Sequence, residues 1–302
     1  MKKVKIVEVG LRDGLQNETT NLSAVQRLEL LQRLVDAGIE NFELGAFVSP
    51  KWVPQMAATQ DVVEGYLKSS FYNKKYSASV LIPNEKGMLS AVQTQVDEIA
   101  IFVASSEGFS KENTNCTIEE SFQRFVPVLK MAGQHKMKVR GYLSTCFGCP
   151  FDGAVPEEKV VQLAQRMNQL GVYEISIGDT IGVAHAGQVQ SLFNKLKKVV
   201  PAEKLAGHFH NTRGQALANI FAAYEIGIQT FDSSIGGLGG CPYAPGASGN
   251  VATEDIVYMF NGLGVHSGLN LQKLIDTHRW LQPQMDHRLS SKVGRVGLLQ
   301  VK

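Results

Sequence analysis

Ser-Ala-Val-Gln-Arg-Leu-Glu-Leu-Leu-Gln-Arg-Leu-Val-Asp-Ala-Gly-Ile-Glu-Asn-Phe-Glu-Leu-Gly (residues 23–45) holds a whole structural unit in one stretch. Ser23 with Gln26 three residues on is a capping box, so a helix starts there. Val25, Leu28, Leu31, Leu34 and Val35 predict one apolar helical face, and Gly38 is the expected C-terminal stop. The run Ile39 to Gly45 then reads as a short strand. With the apolar alternation of Val4–Val9 ahead of it, this makes one β-α-β unit.

Outward from that unit the alternation continues. Strand candidates recur at 76–82, 98–104, 138–144, 173–178, 205–210 and 230–235, with helical patterns between them, one opened by a second capping box, Thr117 with Glu120. Eight strands, each followed by a helix candidate, imply a parallel sheet with right-handed crossovers. Eight units close a barrel more readily than they extend a flat sheet, so the predicted architecture is an α/β (β/α)8 TIM barrel spanning 1–302 as one domain. A doubly wound sheet is the structural alternative. The helical region at about 270–281 and the tail beyond it read as a short C-terminal helical appendage.

With 302 residues and 44% hydrophobic content, one large core is the expectation. The formal charge is +2, from 30 basic and 28 acidic residues without blocks, which is no footprint for nucleic acid. Met1-Lys2-Lys3 runs straight into Val4, leaving no room for a signal h-region, and no apolar run reaches the length of a membrane span. Cys116, Cys146, Cys149 and Cys241 are too sparse for a disulfide scaffold. A cytoplasmic protein is expected.

Polar groups gather where strands end: Arg12-Asp13 after the first, Glu43 in the second, Asp179 after the sixth, His208 and His210 in the seventh. In a barrel those ends form the active-site face. His208 and His210, two apart, project to the same side of a strand, a metal-ligand arrangement that hydrogen-bonded core histidines would also produce. Asp13 and Asn250, in glycine-containing loops, offer oxygen ligands to the same ion. Mixed nitrogen and oxygen ligation suits Mg²⁺ or Mn²⁺, with Co²⁺ or Zn²⁺ as alternatives.

The segment 236–250 carries six glycines around Cys241 and lacks both the ending of a phosphate loop and the spacing of a dinucleotide fingerprint. A lid bringing Cys241 over a substrate is expected, against a plain flexible connection. Cys146-Phe147-Gly148-Cys149 has CxxC spacing but no second pair to complete a zinc site. His135, His185, His266, His278 and His287 have no partner pattern and read as surface or structural.

Val-Gly-Leu-Arg-Asp-Gly-Leu-Gln-Asn-Glu (9–18), Phe-Val-Ser-Pro-Lys-Trp-Val-Pro-Gln-Met (47–56), Glu-Glu-Ser-Phe-Gln-Arg-Phe (119–125), Gly-Asp-Thr-Ile-Gly (178–182) and the glycine-rich segment together resemble the 3-hydroxy-3-methylglutaryl-CoA (HMG-CoA) lyase family. The resemblance spans nearly the whole chain. It implies cleavage of HMG-CoA to acetyl-CoA and acetoacetate, an acyl-CoA substrate and a homodimer. It also implies that Asp13, His208, His210 and Asn250 bind the ion, that Arg12 and Cys241 act on the reacting carbons, that Glu43 and Asp179 support them, and that Asp179 or a histidine such as His208 relays the hydroxyl proton.

Asn211, Arg213 and Ala46 depart from the family pattern, and the cysteine that animal forms carry near the C-terminus is missing. The departures bear on acyl-chain preference. The rival readings are a lyase for a larger 3-hydroxy-3-alkylglutaryl-CoA, a condensing synthase of the same superfamily, and a non-catalytic acyl-CoA-binding barrel.

Overall fold

Ser23 accepts the N–H of Gln26, and the Gln26 side chain in turn accepts the N–H of Ser23, so the first capping box forms and the helix Ala24–Asp36 begins there. Its buried stripe is Arg27, Leu30, Leu31 and Leu34, the i, i+3, i+4, i+7 spacing of one helical face. Val25 lies about 200° around the helix from Arg27 and is 76% exposed, so the expected apolar face is rotated at its start. Gly38 ends the helical segment with φ +100, a left-handed conformation that side chains with a Cβ avoid.

The computed structural model describes residues 3–241 and 244–298, with the backbone alone at 241 and 244–248. Eight parallel strands follow in chain order: β1 Lys5–Glu8, β2 Asn41–Ala46, β3 Ser77–Leu81, β4 Glu98–Ala104, β5 Lys138–Ser144, β6 Glu174–Asp179, β7 Leu205–Phe209 and β8 Thr230–Ser233. Each pairs with its sequence neighbour, and β1 pairs with β8 from Lys5↔Thr230 to Glu8↔Ser233, closing the barrel. A doubly wound sheet is thereby excluded. Helices follow every strand, including Ile118–Gln134 on its predicted Thr117–Glu120 capping box. No helix among the described residues is long and apolar enough to cross a membrane.

The appendage contains the helix Leu271–Leu281, which packs along Ala24–Asp36, and the short helix Lys292–Val296. Asp255 accepts the N–H groups of Lys292 and Val293 and bonds Ser291, tying the tail to the helix Thr253–Gly262. The tail also reaches the glycine-rich segment. A Cβ on Gly237 would stand 2.0 Å from Ser290 Oγ, and Gly236 and Gly237 both have positive φ. These two glycines are required by close packing, which a plain flexible connection would not demand. Beyond them, β9 Gly240–Cys241 and β10 Ala244–Ser248 pair antiparallel.

Residues 10–14, expected as a loop, form a single π-helical turn in which Gly14 N–H reaches Val9 O at 3.1 Å. That turn sets Arg12 and Asp13 at the C-terminal end of β1. Arg27 supports it from behind, donating to Leu11 O at 3.1 Å and to Leu44 O at 2.7 Å. Burial lowers the Arg27 guanidinium to a pKa of about 10.

Candidate metal centre and active site

His208 lies in β7 and His210 one residue past its end, both buried, with ring centroids 5.2 Å apart. A backbone bridge from His210 to Asn250 brings the returning glycine-rich segment alongside. Asp13 faces both imidazoles: His208 Nε2 and His210 Nε2 stand 3.8 and 3.9 Å from Asp13 Oδ2. Those distances exceed a hydrogen bond and match ligand spacing around one ion, since ligands at about 2.1 Å from a shared ion stand roughly 3 to 4.2 Å apart. One ligand atom from each of the three residues falls within 4.8 Å of the others. The donor set therefore fits a divalent ion.

Asn250 joins this group through its amide, which donates to Asp13 Oδ2 at 2.8 Å and to Leu238 O at 3.2 Å. A half-turn of that amide would present its oxygen to an ion between Asp13 and the histidines. Burial works to raise the Asp13 carboxyl, but Arg12, His210 and His208 hold it well below the usual carboxylate range. Asp13 is thus a carboxylate ready to accept a cation.

Arg12 is almost wholly buried. It donates from Nε to Glu43 Oε2 at 2.7 Å and from Nη1 to Asp13 Oδ1 at 2.6 Å, and its guanidinium lies 5.2 Å from the Tyr142 ring. Burial opposes its charge, yet Glu43 and Asp13 raise its pKa above the ordinary value. Glu43, conversely, is raised by burial against the pull of Arg12, and its Oε1 is a buried oxygen with no hydrogen-bond partner among the described residues. A register shift between Glu43 and Gly45 marks this end of β2, the kind of irregularity that re-aims a side chain beside a site.

Asp179 ends β6 with both carboxylate oxygens taken, by Val183 N–H at 2.9 Å and Ala184 N–H at 3.0 Å. Burial raises its pKa despite those bonds. Its evident work is to shape the loop after β6. Cys241 sits by its backbone in β9, and its thiol lies outside the described residues. Cys146 and Cys149 are buried free thiols. Cys146 donates to Leu143 O at 3.0 Å and burial pushes it up to about 12, while Cys149 accepts from Phe151 and Asp152.

Several residues behind the site were not singled out from sequence. Asp232 in β8 accepts from His208 Nδ1, Arg140 and Ser176. Glu18 accepts the Gly239 amide, and Glu8 accepts those of Gly10 and Ile235. The available signal was a charged residue inside an otherwise apolar strand, as with Arg140 and Asp232. Among the isolated histidines, His278 pairs with buried Glu254 at 3.0 Å and His287 with Glu18 at 2.6 Å, the structural roles expected. A groove of about 700 Å³ lined by Lys5, Asn41 and Thr230 lies at the opposite end, where strands begin, the barrel face usually given to stability.

A closed eight-stranded barrel with a mixed nitrogen and oxygen ligand set and a buried arginine at its C-terminal mouth defines the metal-binding class of barrel enzymes. The HMGL-like family model matches residues 3–281. The 3-hydroxy-3-isohexenylglutaryl-CoA/hydroxy-methylglutaryl-CoA lyase of Pseudomonas aeruginosa is 50% identical over 275 residues, 91% of this chain and 90% of that protein. The mitochondrial hydroxymethylglutaryl-CoA lyase of Homo sapiens is 48% identical over 295 residues, 98% of this chain and 90% of that protein. The structure of an HMG-CoA lyase from Acinetobacter baumannii in complex with coenzyme A and 3-methylmalate superposes with a TM-score of 0.93 at 36% identity, covering 99% of this chain and 97% of that one. The chain belongs to the HMG-CoA lyase family.

Proposed function

We propose that this protein cleaves 3-hydroxy-3-methylglutaryl-CoA to acetyl-CoA and acetoacetate. The observation that carries the reading is the adjacency of Arg12 and Asp13: one turn of backbone aims a permanent cation and a metal-binding carboxylate at the same point. Retro-Claisen cleavage needs both. A divalent ion held by Asp13, His208, His210 and Asn250 would supply Lewis acidity toward the tertiary hydroxyl, Mg²⁺ or Mn²⁺ being favoured by the oxygen ligands.

The chain's own groups do the rest. Bond cleavage turns a thioester into an enolate, and the Arg12 guanidinium stabilises that oxygen as charge develops. Its Nη2, without a partner among the described residues, is the donor left for substrate. Glu43 holds the guanidinium's orientation. Cys241, on the glycine-rich lid, exchanges a proton with the carbanionic carbon, a role a thiol near pKa 8.5 can perform. Asp179, its pKa raised by burial, takes the hydroxyl proton, since His208 turns Nε2 to the ion site and Nδ1 to Asp232. We read residues 1–302 as one domain, the protein as a cytoplasmic homodimer, and an acyl-CoA as its small-molecule partner; the sparse cysteines and the family resemblance support those assignments.

A second substrate is favoured by one observation. The Pseudomonas aeruginosa relative carries both the isohexenylglutaryl and the methylglutaryl thioester in its name. Ala46, a small buried residue at the end of β2, and Arg213, which donates to Ile181 O and Gly182 O, are the departures that bear on chain length.

The deciding assay incubates the full chain with HMG-CoA and Mg²⁺, and separately with the isohexenyl thioester, and quantifies acetyl-CoA and the oxo-acid product. Acetoacetate formed from HMG-CoA and abolished by chelation supports the reading. No cleavage of HMG-CoA with metal present would overturn it.

A further inference from the structure

His208 Nδ1 lies 3.2 Å from Asp232 Oδ2, on the side of the ring away from Asp13. The same Asp232 oxygen accepts from Ser176 Oγ at 2.6 Å, and the other, Oδ1, accepts from Arg140 Nη2 at 2.7 Å. Arg140 is in turn held by Glu174 at 2.9 Å, and Glu174 also meets Lys5. All but Lys5 are buried. They run along the inside of the barrel through β5, β6 and β8, ending at His208.

Three donors converge on Asp232, and a carboxylate accepts all of them at once. With Oδ2 accepting, His208 must carry its proton on Nδ1, which leaves the lone pair on Nε2, the atom facing Asp13. We propose that Asp232 is the positioning residue that makes His208 a metal ligand: it selects the imidazole tautomer, and Arg140 with Ser176 holds Asp232 in the orientation that does so. The inference rests on the reading of Asp13, His208 and His210 as an ion site. It assigns work to three residues outside the Asp13, His208 and His210 ligand group, and such supporting groups are what orient metal-bound imidazoles elsewhere.

Asp232→Asn is the informative change because it keeps volume and loses one acceptor. Its single oxygen would go to the Arg140 cation, turning the amide NH₂ toward His208. The imidazole would answer by accepting at Nδ1 and carrying its proton on Nε2, where it can no longer ligate. The same logic disables a catalytic histidine when its orienting aspartate becomes asparagine.

The experiment is Mn²⁺ titration calorimetry of the full chain, wild type against Asp232→Asn, with ¹⁵N-histidine NMR of the metal-free proteins, the His208 signal being assigned by its loss in His208→Gln. The expected result is an Nδ1–H tautomer in the wild type, an Nε2–H tautomer in Asp232→Asn, and Mn²⁺ binding weakened about 10- to 100-fold. A merely structural pairing of Asp232 with Arg140 would lower stability and leave tautomer and affinity alone, which overturns the proposal. Should Asp232→Asn not fold, an Nε2–H tautomer in the wild type overturns it and Nδ1–H upholds it. A wild type that binds no Mn²⁺ would instead remove the ion-site reading on which the proposal stands.

Discussion

Glu18 accepts the backbone N–H of Gly239 at 3.0 Å through a carboxylate that is itself buried. Gly239 lies two residues before Cys241, and a Cβ placed on it would stand 2.8 Å from Asn250 Nδ2. One hydrogen bond therefore braces the segment that carries both the proposed thiol and the proposed oxygen ligand. The other Glu18 oxygen takes His287, so the appendage backs the same brace.

Removing that acceptor leaves a buried amide unpaired, at a cost of about 1–3 kcal/mol. Glu18→Ala is expected to lower stability by about that amount, to reduce kcat, and to change the rate at which Cys241 is alkylated. Glu18→Gln, which retains an oxygen for Gly239, should keep most of the activity. Wild-type kcat and alkylation rate in Glu18→Ala would show that the brace does not reach the chemistry.

Arg12→Gln should cost about 10²–10³ in kcat, the typical loss for a charge-stabilising donor, with KM little changed and Mn²⁺ still bound. The reasoning is that a cation held by Glu43 and Asp13 gains attraction only as the enolate forms. Steady-state kinetics decide it. A raised KM with kcat intact would make Arg12 a ground-state binding residue.

Cys241→Ala is expected to lose most cleavage and to slow exchange of acetyl-CoA methyl protons with solvent. Cys146→Ala should retain both, because that thiol is buried, bonded to Leu143 O and pushed up to about 12. Proton exchange followed by NMR, together with turnover, separates the two. Equal losses from the folded Cys146 variant would mean the wrong cysteine had been chosen.

Burial pushes the Glu8 carboxyl from 4.5 up to about 7, against the bonds it accepts from Thr253, Ile235 and Gly10. A raised folded-state pKa gives stability that is fully present below about 4.5 and is lost as pH rises through 7. At about 1.4 kcal/mol per pH unit, the window is worth roughly 3 kcal/mol. Glu8→Gln keeps an oxygen for the two amides and cannot ionise, so its stability relative to wild type should climb between pH 4.5 and 7 and level off above. Unfolding measured across that range tests it; a constant difference would place Glu8 as a carboxylate throughout.

Local rules carried far in this chain. The Ser23–Gln26 and Thr117–Glu120 caps formed where predicted, because a cap is satisfied within three residues of backbone. Strand positions were also legible, since buried parallel strands are short apolar runs between helical periods. The stripe of the first helix was only partly legible. Val25 is as apolar as Leu31, and only packing shows which way the helix is turned.

The site was legible as a set of residue types and illegible as a mechanism of support. Arg12, Asp13, His208 and His210 stood out as polar groups at strand ends and Asn250 as an oxygen ligand in the glycine-rich segment, and the family resemblance tied them together. Asp232 and Arg140 did not, since a single charge within an apolar strand has no readable partner 92 residues away.

The sequence by itself determined the alternation of strands and helices, their caps and the family, because each depends on neighbours a few residues apart or on motifs along the chain. Only the tertiary structure decided that β1 pairs with β8, that Asp13 faces both histidines, and that Gly236 and Gly237 are small because Leu289 and Ser290 press against them. Those relationships join distant segments, and their energies come from closing the barrel and satisfying buried charge, quantities that no local stretch of residues contains.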